Sequence, residues 1–166
     1  FLLFLAVALG AAAKAPKYIF LYIGDGMGMG PVMAAQNYNR NVLHNDKPLN
    51  MMQFPVVGWA QTWSASSDIT DSAAAGTALS TGHKTRNYML GMNADTVAVN
   101  SVAKILHDKD FGVAVATSVA PDDATPGAFY THVPNRSMFY EIGRDMAECG
   151  YEFVAGAGLR GSMTDG

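Results

Sequence analysis

The chain has 166 residues, 49% of them hydrophobic and 15% charged, with a net charge of -3. That balance excludes a disordered chain, which pairs low hydrophobicity with high charge, and it supports one globular unit. It also argues against nucleic-acid binding: there is no basic footprint for phosphates and no lysine run for an anionic membrane surface.

Phe1 to Ala13 (FLLFLAVALGAAA) is an apolar stretch that tapers into small residues. It falls short of the roughly 20 residues a membrane-spanning helix needs. Its pattern is that of the apolar and cleavage regions of a secretory signal, whose basic start and initiator Met would lie upstream. Cleavage is expected after Ala13, with Ala15 the less suitable alternative because Pro16 follows it. A buried core helix is the other reading. Residues 1–13 are thus expected to be a signal-peptide remnant, leaving no transmembrane helix after its removal, and residues 14–166 to form one domain.

Lys17 to Ile23 (KYIFLYI) is rich in β-branched and aromatic residues and predicts a buried first strand that runs into a tight turn at Gly24-Asp25-Gly26. Pro31 to Arg40 predicts a helix, Asn41 to Gln53 a loop, and Val56 to Trp63 a second strand despite Gly58. Ser72 to Ser80 is Ala-rich and follows Thr70 and Asp71, whose side-chain oxygens suit a helix start; Gly82 closes it. Val99 to Lys109 predicts a helix with Asn100 near its start, and Phe111 to Thr117 a strand. Met138 to Glu148 predicts a helix capped by Ser137 and stopped by Gly150, with a short strand at Phe153 to Ala155. This alternation predicts an α/β domain with a mostly parallel central sheet and flanking helices, where ligand sites gather at the carboxyl ends of strands. The single cysteine, Cys149, reads as a buried thiol, although a disulfide partner elsewhere is the alternative.

Asp25 puts a carboxylate on a glycine-rich turn at a strand end, where a hard or borderline metal could reach it; an ordinary Asp-Gly turn is the plain alternative. A dinucleotide fingerprint fails, because Met29 or Pro31 falls where the third glycine should stand. Ser72 puts a hydroxyl in the first turn of a helix, where unpaired N–H groups favour an anion. Serine is a weak nucleophile without a base or metal, so the site calls for a partner such as a metal held by Asp25; a simple N-cap is the alternative. Asp122-Asp123-Ala124-Thr125-Pro126 gathers carboxylates and a hydroxyl of the kind Mg²⁺ accepts, or else caps a helix with Pro near its first turn. Arg136 offers a planar fork for two phosphate oxygens, or is a solvated surface residue. His44, His83, His107 and His132 lack zinc-ligand spacing.

Taken together, GDGMG at 24–28, TDSAAAGTALSTGHKT at 70–85 and DDATPGAFYTHVPNR at 122–136 resemble the alkaline phosphatase family, over most of residues 17–140. The resemblance implies the fold of that family and hydrolysis of phosphate monoesters with two Zn²⁺ and one Mg²⁺. It implies that Asp25 bridges the second zinc and the magnesium, and that Ser72 becomes a covalent phosphoserine. Thr125 would bind the magnesium and Asp123 would stand beside it. Arg136 would clamp the phosphate oxygens and Asp71 would orient that arginine. It further implies a homodimer when full length and a secreted or periplasmic location. The remaining Asp, Glu and His ligands of the family are expected downstream, so residues 14–166 would be the N-terminal part of the catalytic domain, with negligible activity alone. A phosphodiesterase or phosphomutase of the same superfamily is one rival reading. A non-catalytic exported phosphate-binding module is another. The C/S-x-P-x-R pattern of a sulfatase does not occur.

Overall fold

Among the described residues, side-chain caps start three of the five α-helices, and left-handed glycines follow the ends of two. The computed structural model describes residues 16–161, so the signal-like stretch lies outside the described residues. Helix α1 spans Met29–Asn41, and a 3-10 turn at Asn50–Gln53 lies within the predicted loop. Helix α2, Ser72–Thr81, starts where the Asp71 side chain accepts from the N–H of Ala74 and ends at Gly82, whose N–H still reaches the Ala78 carbonyl while its left-handed φ of 74° turns the following chain out of the helix.

The helix predicted over residues 99–109 is shorter: α3 spans Val102–His107, because the Ser101 hydroxyl accepts from Lys104 N–H and starts the helix there. Val99, upstream, instead gives its N–H to the Gly91 carbonyl. Strand β1 follows at Ala114–Ala116 and helix α4 at Ala124–Gly127, capped by Asp123. Helix α5, Phe139–Glu148, begins at Met138 with no side-chain cap. Ser137 does not cap it; its N–H is drawn into a turn by the Asn135 side chain. Strand β2, Phe153–Ala155, then pairs in parallel with β1 in the register Ala114–Phe153, Val115–Val154 and Ala116–Ala155. The β1–α4–α5–β2 crossover defines an α/β fold with parallel pairing.

The core gathers Ala73 of α2, Leu90, Ala124 and Ala128 around α4, Tyr130, Val133, and Ile142 of α5. Small residues let α2 and α4 come together: a Cβ on Gly76 would sit 3.1 Å from Ala128 Cβ and 3.5 Å from Thr125 Cα. This close approach brings the two helix starts side by side.

The strands predicted at 17–23 and 56–63 correct differently. Among the described residues neither joins a ladder, and Tyr22 and Trp59 are 85% and 87% exposed. β-branched and aromatic composition favours extended backbone, but pairing and burial depend on neighbouring strands and covering layers, which residues 16–161 do not supply there. Cys149 is a free, half-buried thiol rather than a buried one, because it caps the end of α5 at the rim of the core. No helix among the described residues is long and apolar enough to cross a membrane.

Two glycines test this packing in opposite directions. Gly91 has φ of 61°, and a Cβ there would overlap the Thr131 carbonyl, so Gly91→Ala is expected to destabilise by at least about 2 kcal/mol. Gly143 lies inside α5 with open space around it, so Gly143→Ala is expected to stabilise by about 0.5–1 kcal/mol. Urea midpoints of the two variants check both signs.

Candidate active site

The turn after residue 23 is closed by hydrogen bonds from Met27 N–H to the Gly24 carbonyl at 3.1 Å and from Gly28 N–H to the Gly26 carbonyl at 3.0 Å. Gly26 takes a φ of 65° within it. This presents the Asp25 carboxylate to the starts of α2 and α4. Ser72 Oγ donates to it, at 3.0 Å from Oδ1 and 3.1 Å from Oδ2, and Thr125 Oγ1 donates to Oδ2 at 3.1 Å. One carboxylate therefore collects hydroxyls that stand 47 and 100 residues away in the chain. Ser72 is also the first residue of α2, where the positive end of the helix faces a negative partner.

Beside this group lies an arginine held at two points. Arg136 Nη1 is 3.4 Å from Asp71 Oδ2 and Nη2 is 3.1 Å from Asp123 Oδ1. Its side chain is 26% exposed and those of Asp71 and Asp123 are 19% and 13% exposed, so the pairs are partly sheltered from water. Asp71 accepts three donors in all: Ala74 N–H on Oδ1 at 2.9 Å, and Tyr88 N–H at 3.1 Å and Arg136 on Oδ2. Asp123 accepts Ala124 N–H at 2.8 Å on Oδ1 and Arg160 Nη2 at 3.0 Å on Oδ2. Thus Asp25, Ser72 and Thr125 form one hydrogen-bonded group, and Asp71, Arg136 and Asp123 form a second. Asp71 links them in the chain because it precedes Ser72 and caps the same helix.

Sequence reasoning missed two contributors. Arg160 pairs with Asp123, and its N–H donates to Oδ2 of the wholly buried Asp122 at 2.6 Å, with Gly161 N–H at 2.9 Å. Neither the loop sequence around Arg160 nor its distance from residue 122 signals this. Asn87, the second, accepts the N–H of Asp71 at 3.2 Å on its side chain. An asparagine of the kind that favours turns was the available signal, since Asn87 is the second residue of the turn from Arg86 to Met89. Three of the histidines have partners: His83 Nδ1 lies 3.0 Å from the Thr81 carbonyl, His132 Nε2 lies 3.2 Å from the Val99 carbonyl, and the His107 ring packs tilted against Tyr151 with centroids 5.4 Å apart. Among the described residues no group of three or more His, Cys, Asp and Glu side chains could hold a metal.

The α/β domain thus places a serine at a helix start, a carboxylate on its hydroxyl and an arginine anchored beside it. Comparison with known proteins narrows the class. The alkaline phosphatase family model matches residues 16–151, and the chain belongs to that family. It is 29% identical to the tissue-nonspecific alkaline phosphatase of Gallus gallus, over 84% of this chain and 30% of that protein. Among solved structures, the cold-active alkaline phosphatase of a psychrophilic Shewanella superposes with a TM-score of 0.76 at 29% identity, over 82% of this chain and 35% of the other. A variant of the TAB5 alkaline phosphatase with magnesium in its M3 site superposes with a TM-score of 0.65 at 34% identity, covering 73% of this chain and 35% of the other. The chain spans about a third of the length of the curated relatives it matches, 30% for the avian enzyme.

The loop that carries Asp122 and Asp123 is also held by Tyr130, whose hydroxyl donates to the Pro121 carbonyl. Burial pushes the Tyr130 phenol above its ordinary range, with Cys149 and Asp122 adding to the rise. An unfolded tyrosine ionises near pH about 10, so this burial contributes stability that is complete below that pH and is lost as pH rises above it. Stability is expected to fall between about pH 10 and about pH 11 and to fall less steeply in Tyr130→Phe. Some slope persists through Tyr151, also raised by burial. Urea midpoints measured across that range check the difference in slope.

Proposed function

We propose that the whole protein hydrolyses phosphate monoesters through a covalent phosphoserine on Ser72. The observation that carries this reading is the meeting of the Ser72 and Thr125 hydroxyls on the Asp25 carboxylate, next to an Arg136 held by Asp71 and Asp123. Family membership supports the reaction class.

The chain's own residues account for several parts of the reaction. Arg136, fixed in orientation by its two carboxylate partners, can turn its remaining N–H groups to the non-bridging phosphate oxygens. The first turn of α2 adds its unpaired N–H groups and its positive end. Asp25 orients Ser72 Oγ and accepts the hydrogen bond of its proton. Ser72 Oγ then forms a bond to phosphorus as the bond to the alcohol oxygen breaks, and the alcohol leaves with a proton. Water displaces Ser72 in a second step, giving inorganic phosphate and restoring the hydroxyl.

Asp25 and Thr125 are oxygen donors of the type magnesium takes, and their oxygens lie 3.1 Å apart, a spacing that two ligands of one magnesium could share. Asp123, two residues before Thr125 in the chain, has both oxygens engaged by arginines. Asp25 would also reach a zinc. Bound metals would lower the cost of forming the serine alkoxide and of activating water. With two Zn²⁺ and one Mg²⁺ as the proposed complement, Asp25 and Thr125 make up only part of the donor set. We accordingly propose that residues 14–166 are the N-terminal part of the catalytic domain and that this chain alone has negligible turnover. The proposal extends to a homodimer that is secreted or periplasmic, with Phe1–Ala13 belonging to the export signal.

Turnover of p-nitrophenyl phosphate by the whole protein is expected to drop at least about a thousandfold in Ser72→Ala, and to be lost on chelation. Acid-stable ³²P labelling of the wild type, absent from Ser72→Ala, reads the phosphoserine directly. Faster turnover of a diester than of the monoester would instead select a phosphodiesterase. A metal-free whole protein that binds phosphate without hydrolysing esters would select a binding module.

A further inference from the structure

Tyr88 has a φ of 72°, in the left-handed region that side chains other than glycine and asparagine seldom adopt. It is the third residue of a turn closed by Met89 N–H on the Arg86 carbonyl at 3.2 Å, a place where a positive φ ordinarily selects glycine. Neighbouring contacts hold the conformation from both sides. Asn87 gives its N–H to Ser66 Oγ at 2.9 Å and its side-chain amide to the Ile69 carbonyl at 3.0 Å, and it accepts Asp71 N–H at 3.2 Å. On the other side, Leu90 and Val133 exchange both backbone hydrogen bonds, at 2.9 and 3.0 Å.

The result is that one residue's backbone spans the phosphate clamp. Tyr88 N–H donates to Asp71 Oδ2 at 3.1 Å, and its carbonyl accepts the backbone N–H of Arg136 at 2.7 Å, fixing the main chain from which the guanidinium extends. Both contacts are shorter than the direct Arg136–Asp71 pair at 3.4 Å. Rotation about φ turns the N–H relative to the carbonyl, so a residue in the ordinary right-handed or extended region would have to give up one of the two. The Tyr88 side chain is 57% exposed, so burial does not explain the conformation.

We propose that Tyr88 is a positioning residue for phosphate binding, acting through its left-handed backbone to set the separation of Asp71 and Arg136. This rests on the reading of Arg136 as the phosphate clamp. In the whole protein, Tyr88→Val places a β-branched residue where a positive φ is most resisted. It is expected to raise the KM for p-nitrophenyl phosphate and the inhibition constant of inorganic phosphate about tenfold, with kcat altered less than about threefold. Tyr88→Gly and Tyr88→Asn, which enter the left-handed region readily, are expected to restore phosphate inhibition to within about twofold of the wild type. If the valine variant does not fold, Tyr88→Ala takes its place with the same expected direction. Unchanged phosphate inhibition in a folded Val or Ala variant overturns the proposal. So does a glycine variant as impaired as the valine one, since the phenol would then be the active part. Arg136→Ala, measured alongside, separates the two readings: if it leaves phosphate inhibition unchanged, the clamp itself fails, and if it weakens inhibition while Tyr88→Val does not, only the assignment of Tyr88 fails.

Discussion

The carboxylate of Asp71 is the contact on which the arrangement of this chain turns. One of its oxygens ends the exposed N–H row of α2, and the other holds the backbone of residue 88 and the guanidinium of Arg136. A cap of this kind stabilises a helix by about 1 kcal/mol, a modest amount for one bond. Its larger consequence is geometric: the group that starts the helix also contacts the arginine, so the helix start at Ser72 and the Arg136 guanidinium share one anchor.

Helix packing does the rest. Gly76 and Ala128 let α2 and α4 approach closely, and Ser72 and Thr125 at their first turns come within reach of one carboxylate. The charges then divide unequally. Asp71 and Asp123 are paired with arginines, and Asp122 is engaged by backbone N–H groups of residues 160 and 161. Asp25 receives only the weaker donation of two hydroxyls among the bonds described. A carboxylate left with that much negative charge suits a cation, which is the physical content of its proposed metal role.

The parts of this fold legible in sequence were those governed by neighbours a few residues apart. The start and stop of α2 followed from Asp71 and Gly82, and Gly150 does take the left-handed conformation expected of a helix stop, with φ of 74°. Where two polar residues competed, the reading erred: Ser101, not Asn100, starts α3, because its hydroxyl is the one that takes the free N–H. The apolar runs at 17–23 and 56–63 join no strand pair among the described residues, since a ladder needs a second strand that local composition does not specify. Arg160 was invisible for the same reason, its partners lying 38 and 39 residues away for the backbone contacts of residues 160 and 161.

By itself the sequence determined membership of a family, through three motifs in order, and with it the α/β class, the turn at Asp25 and the helix start at Ser72. The turn and the helix start each depend on residues within about one helical turn of one another, where backbone geometry and capping chemistry act without the rest of the chain. Tertiary structure alone decided which carboxylate meets which hydroxyl or arginine, and which strands pair. It also decided that residue 88 adopts a left-handed φ its own side chain disfavours. Contacts spanning 47 and 100 residues are selected by packing and loop closure, in which a one-residue change in helix approach would separate the partners.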